Sequence, residues 1–334
     1  MTLNVIRGGL LTTVQDLGRF GMQHFGVPVS GAMDQHSLRI GNRLVGNNDD
    51  AAALEVTLVG PLLEFDIDTL IAVCGGDLDA VINNKPVPMN RPVWVARGSR
   101  LAFGKPVLGC RAYVACAGGV DVVPVLGSRS TYVRSRFGGL KGRALKAGDR
   151  IDTMLTTTSY YSALRESPAF ERDGFAAPNW SVQVTPERLF LKPPPVRFVP
   201  GRHWELLTPA ERGAFMNENF KVGAASDRMG FRLEGARMTS HEFGDIASEA
   251  VAFGTIQLPP DGSPIVLMAD CQTIGGYPRV GEVANVDLQL LAQLKPGDAL
   301  TFERITLGDA QRLIHAQSMA LAQLGASLEA VRHH

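Results

Sequence analysis

Three stretches of this 334-residue chain hold more hydroxyls, charges and glycines than core packing requires, and any chemistry has to be sought there. The richest begins Ser226-Asp-Arg-Met-Gly-Phe-Arg-Leu233, passes Ser248-Glu249, Gln257 and Asp261-Gly262, and ends Asp270-Cys-Gln-Thr-Ile-Gly-Gly-Tyr-Pro278. If Ile265 to Met268 is a buried strand, Asp270 and Gln272 emerge at its end on one side, because side chains alternate along a strand. A carboxylate and an amide then share one mouth. Asp270 is the candidate general base, Gln272 the group that polarises a carbonyl, and Arg228 the countercharge for an anion. Glu249 and the Tyr277 phenol, re-aimed by Pro278, join them as catalytic candidates, while Ser226, Asp227 and a tight turn at Gly275-Gly276 line the binding side. The plainer alternative is a turn capped by its own Asp270.

The second stretch is Val14-Gln-Asp-Leu-Gly-Arg19, followed by Gly21, Gly26 and Ser30-Gly31. Glycines beside Gln15, Asp16 and Arg19 let backbone approach a ligand or a neighbouring domain closely. A long loop whose polar groups satisfy one another fits equally well. The third, Gly127-Ser-Arg-Ser-Thr131, continues through Arg134, Arg136, Lys141 and Arg143 with no acidic residue before Asp149. Arg129, Ser130 and Thr131 are therefore candidates to hold phosphate or carboxylate through charge-assisted bonds; in a solvated loop the same charges contribute almost nothing.

Other chemistries are excluded. Neither GxxxxGK[ST] nor GxGxxG occurs, so a self-contained nucleotide site of either familiar type is unsupported. Cys74, Cys110, Cys116 and Cys271 form no CxxC pair and the histidines are scattered, so no metal or redox motif is expected. Cys271 reads as a core cysteine facing away from Asp270. Reduced thiols, and no continuous apolar core between Met1 and Phe20 to make a signal peptide, point to the cytoplasm. Thirty-three basic residues balance thirty-three acidic ones, leaving no field to recruit nucleic acid or an anionic membrane. The apolar stretch Gly109 to Gly127 is broken by Arg111 and Asp121 and is too short to span a bilayer.

Short β-branched runs bounded by Gly, Pro, Asn and Asp must position these groups: Leu54–Leu58, Leu70–Cys74, Arg111–Cys116 and Pro264–Met268 are expected strands. Helical periodicity is confined to Asp34–Val45 with Asp34 as N-cap, Thr208–Met216 with capping-box spacing, Val286–Leu294 and Asp309–Leu328. The chain also echoes itself. Ser30-Gly-Ala-Met33 matches Ser226-Asp-Arg-Met229, and Glu55 with Gly60 matches Glu249 with Gly254. From there Ile71–Val73 falls opposite Ile265–Leu267, and Leu145-Lys-Ala-Gly-Asp149 matches Leu294-Lys-Pro-Gly-Asp298. The expected architecture is mainly β, with two related barrel domains at 1–154 and 196–305. A Pro/Thr/Ser-rich connector at 155–195 joins them, and an amphipathic helix and tail occupy 306–334.

Gln15-Asp-Leu-Gly-Arg19, the Gly-Val-Pro-x-Ser-Gly-Ala-Met-Asp34 run, Gly127-Ser-Arg-Ser-Thr131, Ser226-Asp-Arg-Met-Gly230 and Gln272-Thr-x-Gly-Gly-Tyr-Pro278 together resemble the allophanate hydrolase subunit 2, or biotin-dependent carboxyltransferase, family. The likeness is greatest to its 5-oxoprolinase branch and covers Met1 to about Arg304. It implies cyclophilin-like β-barrel domains and a heteromeric complex with the 5-oxoprolinase B subunit, of the allophanate hydrolase subunit 1 family, and the A subunit. The implied reaction opens 5-oxo-L-proline to L-glutamate with ATP as co-substrate. Two alternatives remain. One is a carboxyltransferase component of urea or allophanate metabolism, served by a biotin carrier and biotin carboxylase on other chains, since no Met-Lys-Met carrier motif occurs here. The other is a non-catalytic regulator that sequesters a kinase inhibitor.

Overall fold

Local signals set the helices where their caps lie. In a computed structural model describing residues 2–154, 160–184, 186–239 and 246–331, helix α1 spans Gln35–Leu44, and the Asp34 carboxylate accepts from the Ser37 amide. Helix α2 (Pro168–Asp173) starts after Ser167 and stops at left-handed Gly174. Helix α3 (Pro209–Asn217) opens with a complete capping box: the Thr208 hydroxyl accepts from the Glu211 amide and the Glu211 side chain reaches back to the Thr208 amide. A 3₁₀ turn at Asn285–Asp287 leads into α4 (Leu288–Ala292), and the long α5 covers Leu307–Val331.

Two compact units result, one comprising Met1–Arg19, Asp34–Thr185 and Ala320–His334, the other Phe20–Met33 and Pro186–Met319. In the first, twelve strands form two six-stranded sheets. One runs in the order Arg150–Asp152, Thr2–Arg7, Leu62–Phe65, Arg100–Phe103, Ala80–Ile82, Lys85–Pro86. The other runs Phe175–Ala176, Pro92–Val95, Thr69–Asp77, Leu108–Cys116, Ala53–Thr57, Leu11–Gln15. Leu3, Val5, Leu63 and Phe65 of the first sheet and Val56, Val73, Val93 and Val114 of the second belong to one buried core.

The stretch expected to be a plain connector carries structure of its own. Phe175 and Ala176 pair with Val95 and Trp94, so this unit continues well past residue 154. Residues 155–159 and 185 of that stretch, and 332–334 of the expected tail, lie outside the described residues.

The second unit closes into a barrel in the order Pro195–Pro200, Arg279–Val283, Thr255–Gln257, Ile265–Leu267, Gly230–Glu234, Phe220–Val222, Ala299–Arg304. Closure comes from Pro195–Pro200, which pairs antiparallel with one neighbour and parallel with Ala299–Arg304. Aromatic rings plug the interior: Phe215 of α3 stacks on Phe302 at 4.4 Å and meets Phe198, Trp204 and Phe220 at 5.2–5.6 Å. The two Leu-Lys-x-Gly-Asp segments adopt one conformation. Each aspartate accepts from the lysine amide, each glycine is left-handed, and each turn exchanges backbone bonds with one valine, Val5 in the first unit and Val222 in the second.

Truncating Phe215 to alanine should lower stability by about 3–5 kcal/mol, because a ring packed on four others leaves a cavity that cannot collapse. Thr208→Ala should cost about 1 kcal/mol through loss of the cap. Urea denaturation followed by tryptophan fluorescence checks both.

Candidate functional site

In the second unit, the turns flanking two barrel strands bring Arg228 and Asp270 together. The Arg228 guanidinium donates twice to the Asp270 carboxylate, Nε to Oδ2 at 2.9 Å and Nη2 to Oδ1 at 3.0 Å, and Nη2 also donates to the Gly31 carbonyl at 2.6 Å. Both side chains are buried. Backbone bonds lock the same segments, Asp270 N–H to Arg228 O at 2.8 Å and Met268 N–H to Met229 O at 3.0 Å. The Asp227 carboxylate accepts from the Met229 and Gly230 amides, and the Ser226 hydroxyl accepts from the Arg232 amide. Ser226 and Asp227 thus shape the turn that presents Arg228.

This arrangement revises the reading of Asp270. The strand ends at Leu267, and Ala269 and Asp270 lie in a turn, so strand alternation does not set the directions of Asp270 and Gln272. Both carboxylate oxygens of Asp270 are committed to Arg228, which makes the pair a clasp on the Gly31 carbonyl. Gln272 is half-buried and Tyr277 is 45% exposed. Burial pushes the Cys271 thiol up to about 12, with the Asp270 charge adding to the shift, as suits an inert core cysteine.

A second cluster in this unit surrounds Glu249, on the short strand Glu249–Ala250 that pairs with Ile274–Gly275. Glu249 Oε2 lies 3.6 Å from Arg279 Nη1 and 3.7 Å from Arg202 Nη1. Oε1 is buried without a hydrogen-bond partner among the described residues, 4.0 Å from His203 Nδ1. Arg279 is held by Glu282 at 2.7 Å and by the Ala250 carbonyl at 3.2 Å. Gly275 and Gly276 do not make the expected tight turn. Gly275 is a ladder position directly opposite Glu249, and a Cβ there would lie 2.5 Å from the buried Gln257 amide. Arg202, His203 and Arg279 were not singled out from sequence. The signal present was Gly201, whose close approach to Arg279 leaves no space for a side chain.

The candidates of the first unit gather at one place and mostly satisfy one another. Asp16 accepts from the Ser128 hydroxyl at 2.7 Å, the Ser130 hydroxyl, the Arg129 amide and the Gly18 amide. Gln15 donates to the Thr131 carbonyl at 3.1 Å, and Thr131 returns its amide and hydroxyl to the Val14 carbonyl. Arg19 donates to the Ser130 carbonyl and lies 4.7 Å from the centre of the Phe137 ring. Gln15, Asp16, Arg19, Ser130 and Thr131 are all buried, so this cluster pins the Gly127 loop to the end of strand Leu11–Gln15. Arg129, half-buried, turns its Nε to the Val122 carbonyl. Nearby, the Tyr113 hydroxyl donates to Glu55 at 2.7 Å and accepts from the Asp34 amide at 2.8 Å; burial first, then Glu55, holds that phenol well above its ordinary value.

Among the described residues no group of three or more His, Cys, Asp and Glu is arranged to hold a metal ion, and no helix is long and apolar enough to cross a membrane.

Residues 25–304 match the family described as carboxyltransferase domain, subdomain A and B, and the chain belongs to that family. It is 34% identical to the C subunit of Escherichia coli 5-oxoprolinase, over 96% of this chain and 97% of that protein. It is 37% identical to urea amidolyase of Lachancea kluyveri over 95% of this chain, which spans only 18% of that much longer protein. The solved structure of Kluyveromyces lactis urea carboxylase matches with a TM-score of 0.81 at 32% identity, covering 96% of this chain and 29% of the other.

Arg228→Ala should destabilise the protein by about 3–5 kcal/mol, because it strands a buried carboxylate. A thermal melt reads the loss; a melting temperature within a degree of the wild type would show that the pair is not the clasp described. Iodoacetamide at pH 8 should leave Cys271 unlabelled in the folded protein and label it after denaturation, since a thiol pushed up to about 12 stays protonated there.

Proposed function

We propose that this chain is the C subunit of an ATP-dependent 5-oxoprolinase, which opens 5-oxo-L-proline to L-glutamate while ATP is hydrolysed to ADP and phosphate. The observation that carries this reading is an end-to-end match with a free-standing subunit, 97% of whose length is covered. The enzyme is completed by its B subunit, of the allophanate hydrolase subunit 1 family, together with its A subunit. A lactam is a resonance-stabilised amide and a poor electrophile; phosphorylation of its oxygen converts it into a good one that water can attack. ATP is a co-substrate of the whole complex. This chain contributes cations and carboxylates suited to an anionic amide, foremost the cluster around Glu249. Four buried cysteine thiols support a reducing, cytoplasmic setting.

A second reading has its own support. The 37% identity to a urea amidolyase favours a carboxyltransferase acting on urea, with biotin delivered on a carrier from another chain. The two differ in what they consume. Co-expression with the B subunit should yield a stable complex, and adding the A subunit should give 5-oxo-L-proline-dependent ADP release that disappears when this chain is left out. Release that persists without this chain overturns the proposal. Urea-dependent turnover that requires a biotinylated carrier moves the assignment to the second reading.

A further inference from the structure

The Gly201-Arg202-His203 turn holds a cation in the open by unusually close backbone attachment. Gly201 donates its amide to the Val280 carbonyl at 3.0 Å and His203 donates to the Arg279 carbonyl at 2.9 Å. His203 Nδ1 accepts the Arg279 amide at 2.9 Å, so the ring binds the strand as an acceptor. A Cβ at Gly201 would lie 2.6 Å from the Arg279 carbonyl oxygen, so only glycine permits the approach. The backbone of Arg202 is fixed on both sides, yet its side chain is 77% exposed.

What that guanidinium faces is incomplete. Glu249 Oε2 stands 3.7 Å away, in ion-pair range but not hydrogen-bonded, and Arg279, its other neighbour at 3.6 Å, is already bonded to Glu282. An exposed pair of this kind is weak and screened by solvent, so Arg202 can turn readily to a ligand carboxylate. Gly275, directly across the ladder, presents no side chain to Glu249.

We infer that Arg202 and Glu249 form a specificity couple for a 5-oxo amino acid: Arg202 takes the substrate carboxylate while Glu249 Oε2 accepts the adjacent lactam N–H. The inference rests on the 5-oxoprolinase reading. In 5-oxo-L-proline the carboxylate and the ring nitrogen hang on the same carbon, so an anion and an N–H donor lie side by side; the couple offers a donor fork and an acceptor side by side in return. A neutral amide such as urea supplies N–H groups but nothing for Arg202, so the same geometry selects against it. His203 and Arg279 act as positioning residues, the first holding the turn and the second holding the strand.

The experiment assembles the A and B subunits with wild-type chain, Arg202→Ala, Arg202→Lys or Glu249→Gln, and measures ADP release against 5-oxo-L-proline concentration. Arg202→Ala should raise KM by about tenfold or more, with a smaller effect on kcat. Arg202→Lys should recover part of the loss, as a point charge replacing a fork. Inhibition by 2-pyrrolidinone, the same lactam without the carboxylate, should not weaken in Arg202→Ala. A KM within twofold of wild type for Arg202→Ala in an intact complex overturns the couple and leaves the enzyme assignment standing. A wild-type complex without 5-oxo-L-proline-dependent ADP release removes both.

Discussion

A fully formed ion pair buried in the second unit, Arg228 with Asp270, constrains much of what surrounds it. Removing two charges from water costs several kcal/mol each, and the attraction between them offsets this only with good geometry and with the remaining donors satisfied. Here two parallel bonds of 2.9 and 3.0 Å join the side chains, and Nη2 also donates to the Gly31 carbonyl. Neither residue can be moved without stranding the other, so the turns at Asp227–Met229 and Met268–Asp270 must stay in register. The segment Phe20–Met33, remote in sequence from the rest of its unit, is fastened at Gly31 by the same guanidinium.

Features that depend on neighbours in sequence were legible in it. Asp34 caps α1 and Thr208 with Glu211 caps α3 because each donor finds its acceptor three residues away. The paired Gly-Asp turns fold alike for the same reason. Long-range pairings were legible only as types. The sequence brought Arg228 and Asp270 together as candidates but could not show that each consumes the other, a fact set by two segments 42 residues apart. Asp16 with Ser128 and Ser130 lies across more than 110 residues, so a run rich in hydroxyls looked like a binding loop when its hydroxyls serve a buried carboxylate. Arg202 and His203 escaped notice because their importance comes from a strand more than seventy residues later.

Internal repetition adds a comparison within one chain. Glu55 and Glu249 occupy matching places in the repeat, yet their surroundings differ in a way that separates scaffold from site. Glu55 is buried and takes the hydroxyl of Tyr113, which also accepts the amide at the start of α1. Glu249 stays partly exposed beside arginines that do not bond to it. The two matching sequence positions carry the same carboxylate; packing commits one of them and leaves the other available.

That contrast gives a physical criterion for where ligand chemistry belongs in this fold. A buried polar group with all its bonds made is hard to disturb, since any ligand must replace bonds already optimised and leave the old partners unsatisfied. Asp16, Ser130, Arg228 and Asp270 meet that description, and their residue types, however suggestive in sequence, serve to hold loops. A partly exposed charge held near an opposite charge without a hydrogen bond behaves in the reverse way, because a ligand adds bonds and breaks none. Arg202 and Glu249 are placed in that state by a rigid backbone: Gly201 and His203 bind one side to the barrel strand, and the Glu249–Gly275 pairing binds the other. Rigid backbone with uncommitted charge is the combination that recognition requires, since the geometry is fixed in advance and the bonding capacity is still free.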